Sequence, residues 1–232
     1  MYQSHKRILT PNDAAPVWHY FTLPKFLGLL ESSALYFSRQ DQFDDLAEGR
    51  LSRWDKDYLS HRAGSLAEYM ESDQRGCYYA NCWTMSDSDE YVLWNTYASL
   101  VDGVAVKSSI GRLKKALPKS DERSIYISGV NYYDETVGST FKASGGIVNL
   151  LALGFSKRSY FRAEKEVRLL FHDNEARLDD KSPRGLQFPI DLNTLIEEVY
   201  VAPKSYQWFE EAVSHLMELY GLEKIPVRRS PI

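Results

Sequence analysis

Cysteine is scarce in this chain of 232 residues, which contains only Cys77 and Cys82. Two thiols cannot build the disulfide framework of small secreted domains, so we interpret both as reduced cytosolic thiols. Long apolar runs are also missing, and no stretch approaches the length needed to span a bilayer. The first residues are basic but no long apolar segment follows them, which is unlike a signal peptide. The sequence therefore predicts a cytoplasmic protein without a membrane partner.

Neither sign of charge dominates, because 28 Lys and Arg stand against 32 Asp and Glu, a net charge of −4. A protein that coats a nucleic-acid backbone needs a basic face, so this balance argues against such a role but leaves room for a local basic patch. Hydrophobic residues make up 44% of the chain, close to the average for soluble globular proteins.

Several familiar catalytic motifs are absent from the sequence. It contains no glycine-rich phosphate loop, no HExxH, no Cys/His cluster with zinc spacing and no G-x-S-x-G. A metal-dependent nuclease is the weakest alternative, because the acidic residues Asp44, Asp45 and Glu48 are not accompanied by a Glu-x-Lys strand. We therefore expect no metal, and we interpret Asp45 and Glu48 as residues that cap backbone amides or pair with arginine.

Short β-prone segments are mixed irregularly with helical patterns along the chain. This mixture predicts an α+β fold rather than a regular βαβ alternation. No linker composition marks a boundary, so we expect one domain over residues 1–232 with its core at about 17–203. A polar, helical insertion is predicted at about 50–75, and a C-terminal helix at about 205–221.

The sharpest local feature is a predicted strand with Glu164, Glu166 and Arg168 on one face and Val167 and Leu169 on the core face. Two nearby carboxylates change each other's pKa, and they can hold a sugar hydroxyl beside a developing cation. A solvent-facing charge ladder is the simpler interpretation of the same spacing.

Aromatic residues are abundant, at 13% of the chain, and several lie beside polar side chains. His19 and Tyr20 occupy a predicted first strand, where they could hold a ribose or a planar ring or simply pack in the core. Trp94 and Tyr97 lie on a predicted helix and could line a cleft or belong to the core. Arg158 follows Lys157 and could contact phosphate, or it could be a solvated surface residue.

The order of these motifs resembles a bacterial domain-of-unknown-function family, number 2971, over roughly residues 17–203. That family carries no named activity, so the resemblance bears on architecture. The matching segments are Trp18-His19-Tyr20, Leu35-Tyr36-Phe37-Ser38, Phe43-Asp44-Asp45-Leu46-Ala47-Glu48, Cys82-Trp83, Trp94-Asn95-Thr96-Tyr97, Gly103-Val104-Ala105-Val106-Lys107-Ser108 and the stretch from Lys157 to Arg168.

A more distant resemblance is to the NAD-binding core of ADP-ribosyltransferases, which opens on a His-containing strand and ends on a Glu-x-Glu strand. It implies a single domain with a mixed, mostly antiparallel split sheet, flanking helices and NAD as substrate. Glu166 would bond the ribose 2′-hydroxyl, and Glu164 would orient the acceptor. The residues implied to bind NAD are His19, Tyr20, Phe37, Ser38, Trp94, Tyr97 and Arg158.

The leading hypothesis is thus an NAD-dependent ADP-ribosyltransferase-like protein, which the resemblance associates with bacterial toxins or phage-defence effectors. The acceptor would be a protein or a nucleic acid. The alternatives are an NAD glycohydrolase on the same cleft and a non-catalytic module that binds a nucleotide or a protein. Under the leading hypothesis, Glu164, Glu166 and Arg168 point into a cleft that also contains His19 or Tyr20.

Overall fold

The computed structural model describes residues 1–6, 8–60, 74–134, 151–173, 175 and 183–232. Within these ranges, nine strands form one mixed sheet and two more form a small second sheet, with helices packed on them. The α+β class predicted from the sequence is confirmed. The strands are β1 (Pro16–Thr22), β2 (Ala34–Arg39), β3 (Tyr78–Met85), β4 (Gly103–Ser109), β5 (Ile125–Gly129), β6 (Asn131–Tyr133), β7 (Ser156–Arg158), β8 (Glu166–His172), β9 (Gly185–Pro189), β10 (Glu198–Val201) and β11 (Val227–Arg229).

The helices are short apart from the last of those described. Three 3₁₀ turns add to them, at Gln40–Gln42, Gln74–Cys77 and Ser159–Glu164. The predicted insertion at about 50–75 contributes one described helix, and residues 61–73 of it lie outside the described part of the chain. The α-helices are α1 (Leu23–Ser32), α2 (Arg53–Ser60), α3 (Tyr91–Tyr97), α4 (Ile110–Ala116), α5 (Leu151–Gly154), α6 (Leu192–Leu195) and α7 (Gln207–Leu219).

The large sheet splits at β3. One edge of β3 pairs with β8 along its length, down to Thr84 opposite Glu166. The other edge is shared, because β2 pairs at Ala80 while β1 pairs at Thr84. From this branch the sheet continues through β1 to β4, β10 and β11, through β2 to β9, and through β8 to β5. All these pairings are antiparallel except that of β10 with β11, which confirms the predicted split and mostly antiparallel sheet.

The two faces of the sheet are covered differently. Val17, Val104 and Val167 point to one face, where α1, α4, α6 and α7 cover the main hydrophobic core. The other face carries two smaller clusters. One contains Trp18, Tyr20 and Trp94, and the second contains Ala80, Leu153 and Leu170.

The strand register places Glu166 and Arg168 between these two clusters. Glu166 lies opposite Thr84, which is opposite Trp18, and Leu170 follows Arg168 on the same face of β8. The charged pair of Glu166 and Arg168 therefore lies between two groups of buried apolar side chains on the same face of the sheet.

His19 lies on the main-core face, opposite to Glu166. Its ring stacks on Phe21 with centroids 4.2 Å apart and meets Trp83 edge-on at 5.1 Å. The buried Nδ1 has no hydrogen-bond partner among the described residues. Burial, with a smaller contribution from Lys25, lowers the pKa of His19 to about 3, so the ring is neutral at pH 7.

His19→Leu will flatten the dependence of stability on pH. As pH falls below about 6.5, the unfolded chain takes up a proton at His19 while the folded chain does not, so stability is lost on acidification. The substitution removes up to about 1.4 kcal/mol per pH unit from that slope. Urea unfolding at several values between about pH 7 and about pH 5 measures this change in slope. His172 still contributes to the slope in the variant, because burial also lowers the pKa of His172.

The matched control is His215→Leu on the outer surface of α7, where the side chain is 71% exposed. This control is a surface substitution and should change the free energy of unfolding by less than about 0.5 kcal/mol at each pH. An unchanged slope in His19→Leu itself would show that His19 takes up its proton over the same pH range in the folded protein as in the unfolded chain.

Candidate functional site

The centre of the candidate site is the fully buried guanidinium of Arg168. Its Nε donates to Oε1 of Glu166 at 2.6 Å, and its Nη2 donates to Oε2 of the same carboxylate at 3.1 Å. Nη1 donates to the Gly154 carbonyl at 2.9 Å, and Nη2 also bonds Glu48. The alternation of side chains along β8 explains this pairing, because residues two apart in a strand lie on the same face.

Lys157 is the second cation, and it lies among three carboxylates. Its Nζ is 3.3 Å from Glu48, 2.5 Å from Glu164 and 3.2 Å from Glu166. We call Glu48, Lys157, Glu164, Glu166 and Arg168 the carboxylate cluster. When all five are ionised, the cluster holds one more negative charge than positive charges.

The pKa values of the cluster follow from burial and pairing. Burial raises the pKa of Glu166, but Arg168 and then Lys157 outweigh it and lower that pKa to about 2. Burial dominates at Glu48 and raises its pKa despite the same two cations. Burial also lowers the pKa of Lys157, yet Glu166 and Glu48 raise it overall. Glu166 is therefore an ionised carboxylate with its charge already paired.

Glu164 lies at the rim of the cluster. The Tyr97 hydroxyl donates to its Oε1 at 2.6 Å, and Lys157 donates to the other oxygen. Its side chain is 16% exposed, against 6% for Glu166. Burial, followed by the Glu164 carboxylate, raises the pKa of Tyr97, so its hydroxyl stays a donor. In the described part of the cluster, Glu164 is the carboxylate most open to a ligand.

The prediction that Glu164 belongs to the strand of Glu166 is wrong. Glu164 ends the 3₁₀ turn, and Lys165 adopts a left-handed conformation with φ 46° before β8 begins. The amide of Lys165 donates to the Arg162 carbonyl, which closes the turn. The two glutamates nevertheless meet at Lys157. The predicted core orientation of Val167 and Leu169 is confirmed, as both are fully buried.

Tyr132 and Glu48 complete the surroundings of Glu166, and both were missed as parts of a common site. The Tyr132 hydroxyl accepts the backbone N–H of Glu166 at 2.9 Å. Glu48 is 120 residues from Arg168 in the chain. No local sequence pattern connects residues so far apart. The Lys157-Arg158 pair, close before the two glutamates in the chain, did indicate that Lys157 could lie near them.

Asp45 and Arg158 form a second ion pair beside the cluster. Arg158 Nη2 donates to Asp45 Oδ1 at 2.6 Å, and Asp45 Oδ1 also accepts a hydrogen bond from the backbone N–H of Ala47. The interpretation of Asp45 and Glu48 as partners of arginine is thereby confirmed. Arg158 stays 30% exposed and lies 5.9 Å from the ring of Tyr160, which is 82% exposed. Among the described residues, no group of three or more His, Cys, Asp or Glu could hold a metal ion.

The structure separates the other residues that the resemblance assigned to NAD. Tyr20 shares the sheet face of Glu166, but its hydroxyl accepts a hydrogen bond from the backbone N–H of Glu90, and its ring packs edge-on against Trp94. Trp94 is fully buried and donates to Asp89 at 2.8 Å. Tyr97, Glu164 and Glu166 are thus brought together, while Tyr20 and Trp94 lie in the neighbouring apolar cluster.

Phe37 and His19 lie on the main-core face of the sheet, whereas Ser38 lies on the face of Glu166, beside Ala80 and Leu170. Phe37 is fully buried in the main core, 4.4 Å from the ring of Phe188. Ser38 is half-buried and lies opposite Ala80 in the ladder of β2 with β3. His19 is on the opposite face, so Tyr20 rather than His19 shares the face of the glutamates.

Gly49 fixes the loop that presents Glu48, and Gly49→Ala will destabilise the protein. Gly49 has φ +71°, and an added Cβ would lie 2.6 Å from Oε1 of Gln40. The left-handed backbone alone costs a non-glycine residue about 1–2 kcal/mol, and the clash adds to it. The control is Gly28→Ala in α1, where an added Cβ meets no atom within 4 Å. This substitution should raise the free energy of unfolding by about 0.5–1 kcal/mol, because alanine favours a helix more than glycine does. Thermal unfolding of both variants checks the prediction, and equal stability would contradict it.

In the ranges that the structure describes, no helix is long and apolar enough to cross a membrane. No protein-family model and no curated protein matches the chain, so the resemblance to family 2971 stays a prediction.

Solved structures of DarT from Thermus sp. 2.9 are similar to this chain. The complex with carba-NAD⁺ shares 13% identity at a TM-score of 0.42, over 95% of this chain and 97% of that one. The complex with ADP-ribosylated ssDNA shares 12% identity at a TM-score of 0.44, over 96% and 97%. The complex with NAD⁺ shares 12% identity at a TM-score of 0.42, over 95% and 97%.

Proposed function

We propose that this protein transfers ADP-ribose from NAD to an acceptor, and that Glu164 is the carboxylate that contacts the nicotinamide-bearing ribose. The observation that carries the proposal is the position of Glu164 at the rim of the carboxylate cluster, where it is more exposed than Glu48 and Glu166. Tyr97 and Lys157 hold its two oxygens, so the carboxylate is oriented before any ligand arrives.

A carboxylate in this position would favour the cleavage of NAD. The bond between the ribose C1′ and the pyridinium nitrogen breaks, and its electron pair leaves with neutral nicotinamide. Positive charge then develops on C1′ and the ring oxygen, as in glycoside hydrolysis. A preorganised negative charge near C1′ stabilises this state more than the ground state. The acceptor nucleophile then attacks C1′ and gives up its proton to solvent water.

Glu166 has a different role in this proposal. Its carboxylate is paired with Arg168 and Lys157 and is nearly inaccessible. It holds Lys157 in the position from which Lys157 orients Glu164. Glu166 therefore acts through another residue, as a positioning residue.

Two side chains beside the carboxylate cluster, one partly and one largely exposed, could bind the diphosphate of NAD and the acceptor. Arg158 offers a guanidinium for a diphosphate, because its side chain is partly exposed although it pairs with Asp45. Tyr160 offers an exposed ring on which a base can stack, and Arg162 and Lys165 are exposed in the same segment. These features favour a single-stranded nucleic acid as the acceptor.

Incubation of the protein with NAD labelled in its ADP-ribose part tests the proposal. Single-stranded DNA, single-stranded RNA and a protein mixture are supplied in parallel, and free nicotinamide and transferred label are both measured. Nicotinamide release with label on a nucleic acid supports the proposal. Nicotinamide release without transfer identifies a glycohydrolase instead. Neither product at any acceptor overturns the enzymatic assignment in favour of a binding module.

A further inference from the structure

The outward surface of α7 exposes large apolar side chains. Trp208 is 63% exposed and Leu219 is 68% exposed, and the small Ala212 and the exposed imidazole of His215 lie between them at helical spacing. Just before the helix, Tyr206 is 64% exposed, and its ring is nearly parallel to that of Trp208 with centroids 6.4 Å apart. We call Tyr206, Trp208, Ala212 and Leu219 the outer stripe.

The outer stripe is not needed for folding of the helix onto the sheet. The packing side of α7 is formed by Phe209, Val213 and Met217, all of which lie in the main core. Exposed aromatic side chains in one patch are unusual in a soluble protein unless another molecule covers them. Tryptophan and tyrosine are also the side chains that contribute most to binding energy at protein interfaces.

Unneutralised carboxylates flank the outer stripe. Among the described residues, Glu211 accepts a hydrogen bond from Gln207 at 3.1 Å, and Glu218 lies 3.5 Å from the imidazole of His215. In the described part of the chain, neither carboxylate pairs with a lysine or an arginine. Glu210 differs, because Arg229 lies 3.6 Å from it across the shallow groove between α7 and β11.

We infer that the outer stripe docks a positively charged, amphipathic segment of a partner protein. Apolar side chains of that segment would cover Trp208 and Leu219 over the flat surface at Ala212. Its lysines or arginines would pair with Glu211 and Glu218. The same two carboxylates repel nucleic-acid phosphates and anionic lipid headgroups, which favours a basic protein segment over those occupants.

This surface is distinct from the carboxylate cluster. α7 packs on the main-core face of the sheet, whereas Glu166 and Arg168 lie on the opposite face. A partner bound to the outer stripe leaves Glu164 uncovered. The inference is therefore independent of the proposed function.

A fluorescently labelled helical peptide built from leucine and lysine tests the inference, with a leucine–glutamate peptide of the same pattern as its counterpart. We expect the full-length protein to bind the basic peptide and not the acidic one, and to bind it more weakly at higher salt. Trp208→Ala should weaken binding by about tenfold or more. Glu211→Lys combined with Glu218→Lys should weaken it by about tenfold as well, because two ion pairs become two repulsions.

Matched controls use exposed residues elsewhere on the chain. Leu9 is 86% exposed and Glu122 is exposed, so Leu9→Ala and Glu122→Lys should leave the affinity unchanged. Hydrogen exchange with the peptide bound should show new protection over residues 206–219. Equal affinity of Trp208→Ala, protection elsewhere or no binding at all would overturn the inference. Self-association of the protein that Trp208→Ala abolishes would also overturn it, since the occupant would then be a second copy.

Discussion

Arg168→Met will lower the free energy of unfolding by about 3–5 kcal/mol, the largest stability effect that we expect from one substitution in this chain. Arg168 is fully buried, and its loss leaves the carboxylates of Glu166 and Glu48 with Lys157 as their cationic partner among the described residues. The Gly154 carbonyl also loses the guanidinium donor. The cost comes from leaving buried charges unpaired rather than from the lost volume.

Urea unfolding measures this effect against Arg228→Met. Arg228 also forms an arginine–glutamate pair, at 2.9 Å with Glu198, but its side chain is 60% exposed. An exposed pair of this kind contributes about 1 kcal/mol or less. A double substitution, Arg168→Met with Glu166→Met, should cost about 2 kcal/mol less than the sum of the single changes, because the partners are removed together. Equal effects of Arg168→Met and Arg228→Met would show that the cluster is not a buried ion network.

Glu164→Gln will slow nicotinamide release from NAD about a hundredfold to a thousandfold while changing stability by less than about 1 kcal/mol. The amide keeps the shape of the side chain and the hydrogen bond from Tyr97, but it removes the negative charge next to the reacting ribose. Because Glu164 is at the rim, its loss leaves Glu166 and Arg168 paired. The expected change is in kcat, with KM for NAD altered much less.

Two further variants show whether the charge acts at that position. Glu31→Gln is the matched control, since the Glu31 carboxylate also accepts a tyrosine hydroxyl, that of Tyr220, on an exposed surface; it should leave turnover unchanged. Glu166→Gln should lose about 3 kcal/mol of stability in addition to turnover, because Arg168 loses its main counter-ion. Full activity of Glu164→Gln would remove Glu164 from the mechanism. Loss of activity in Glu166→Gln alone, with unchanged stability, would assign the contact with ribose to Glu166.

The parts of the fold that depend on short-range pattern were predictable from the sequence. The α+β class followed from short strands mixed with helices, and Val167 and Leu169 were assigned to the core from alternation along β8. The same alternation placed Glu166 and Arg168 on one face. These predictions needed only the two-residue period of a strand, which the neighbouring residues display directly.

The assembly of the carboxylate cluster was not predictable in the same way. Glu48 comes from a loop, Lys157 from β7 and Arg168 from β8, and the contact of Glu48 with Arg168 spans 120 residues. The left-handed conformation of Lys165 breaks the strand pattern before Glu166, and nothing in the residue type announces it. The face of His19 could not be deduced either, because in a strand with apolar residues on both faces one register is as plausible as the other.

The central claim is that Glu164 contacts the ribose next to nicotinamide, and a crystal structure of the protein with a non-hydrolysable NAD analogue tests it most directly. The account predicts a ribose hydroxyl at about 2.6–3.0 Å from a carboxylate oxygen of Glu164, with Tyr97 and Lys157 still bound to that side chain. An analogue bound on the main-core face beside His19, or one that leaves Glu164 free of contact with the ribose, would contradict the account.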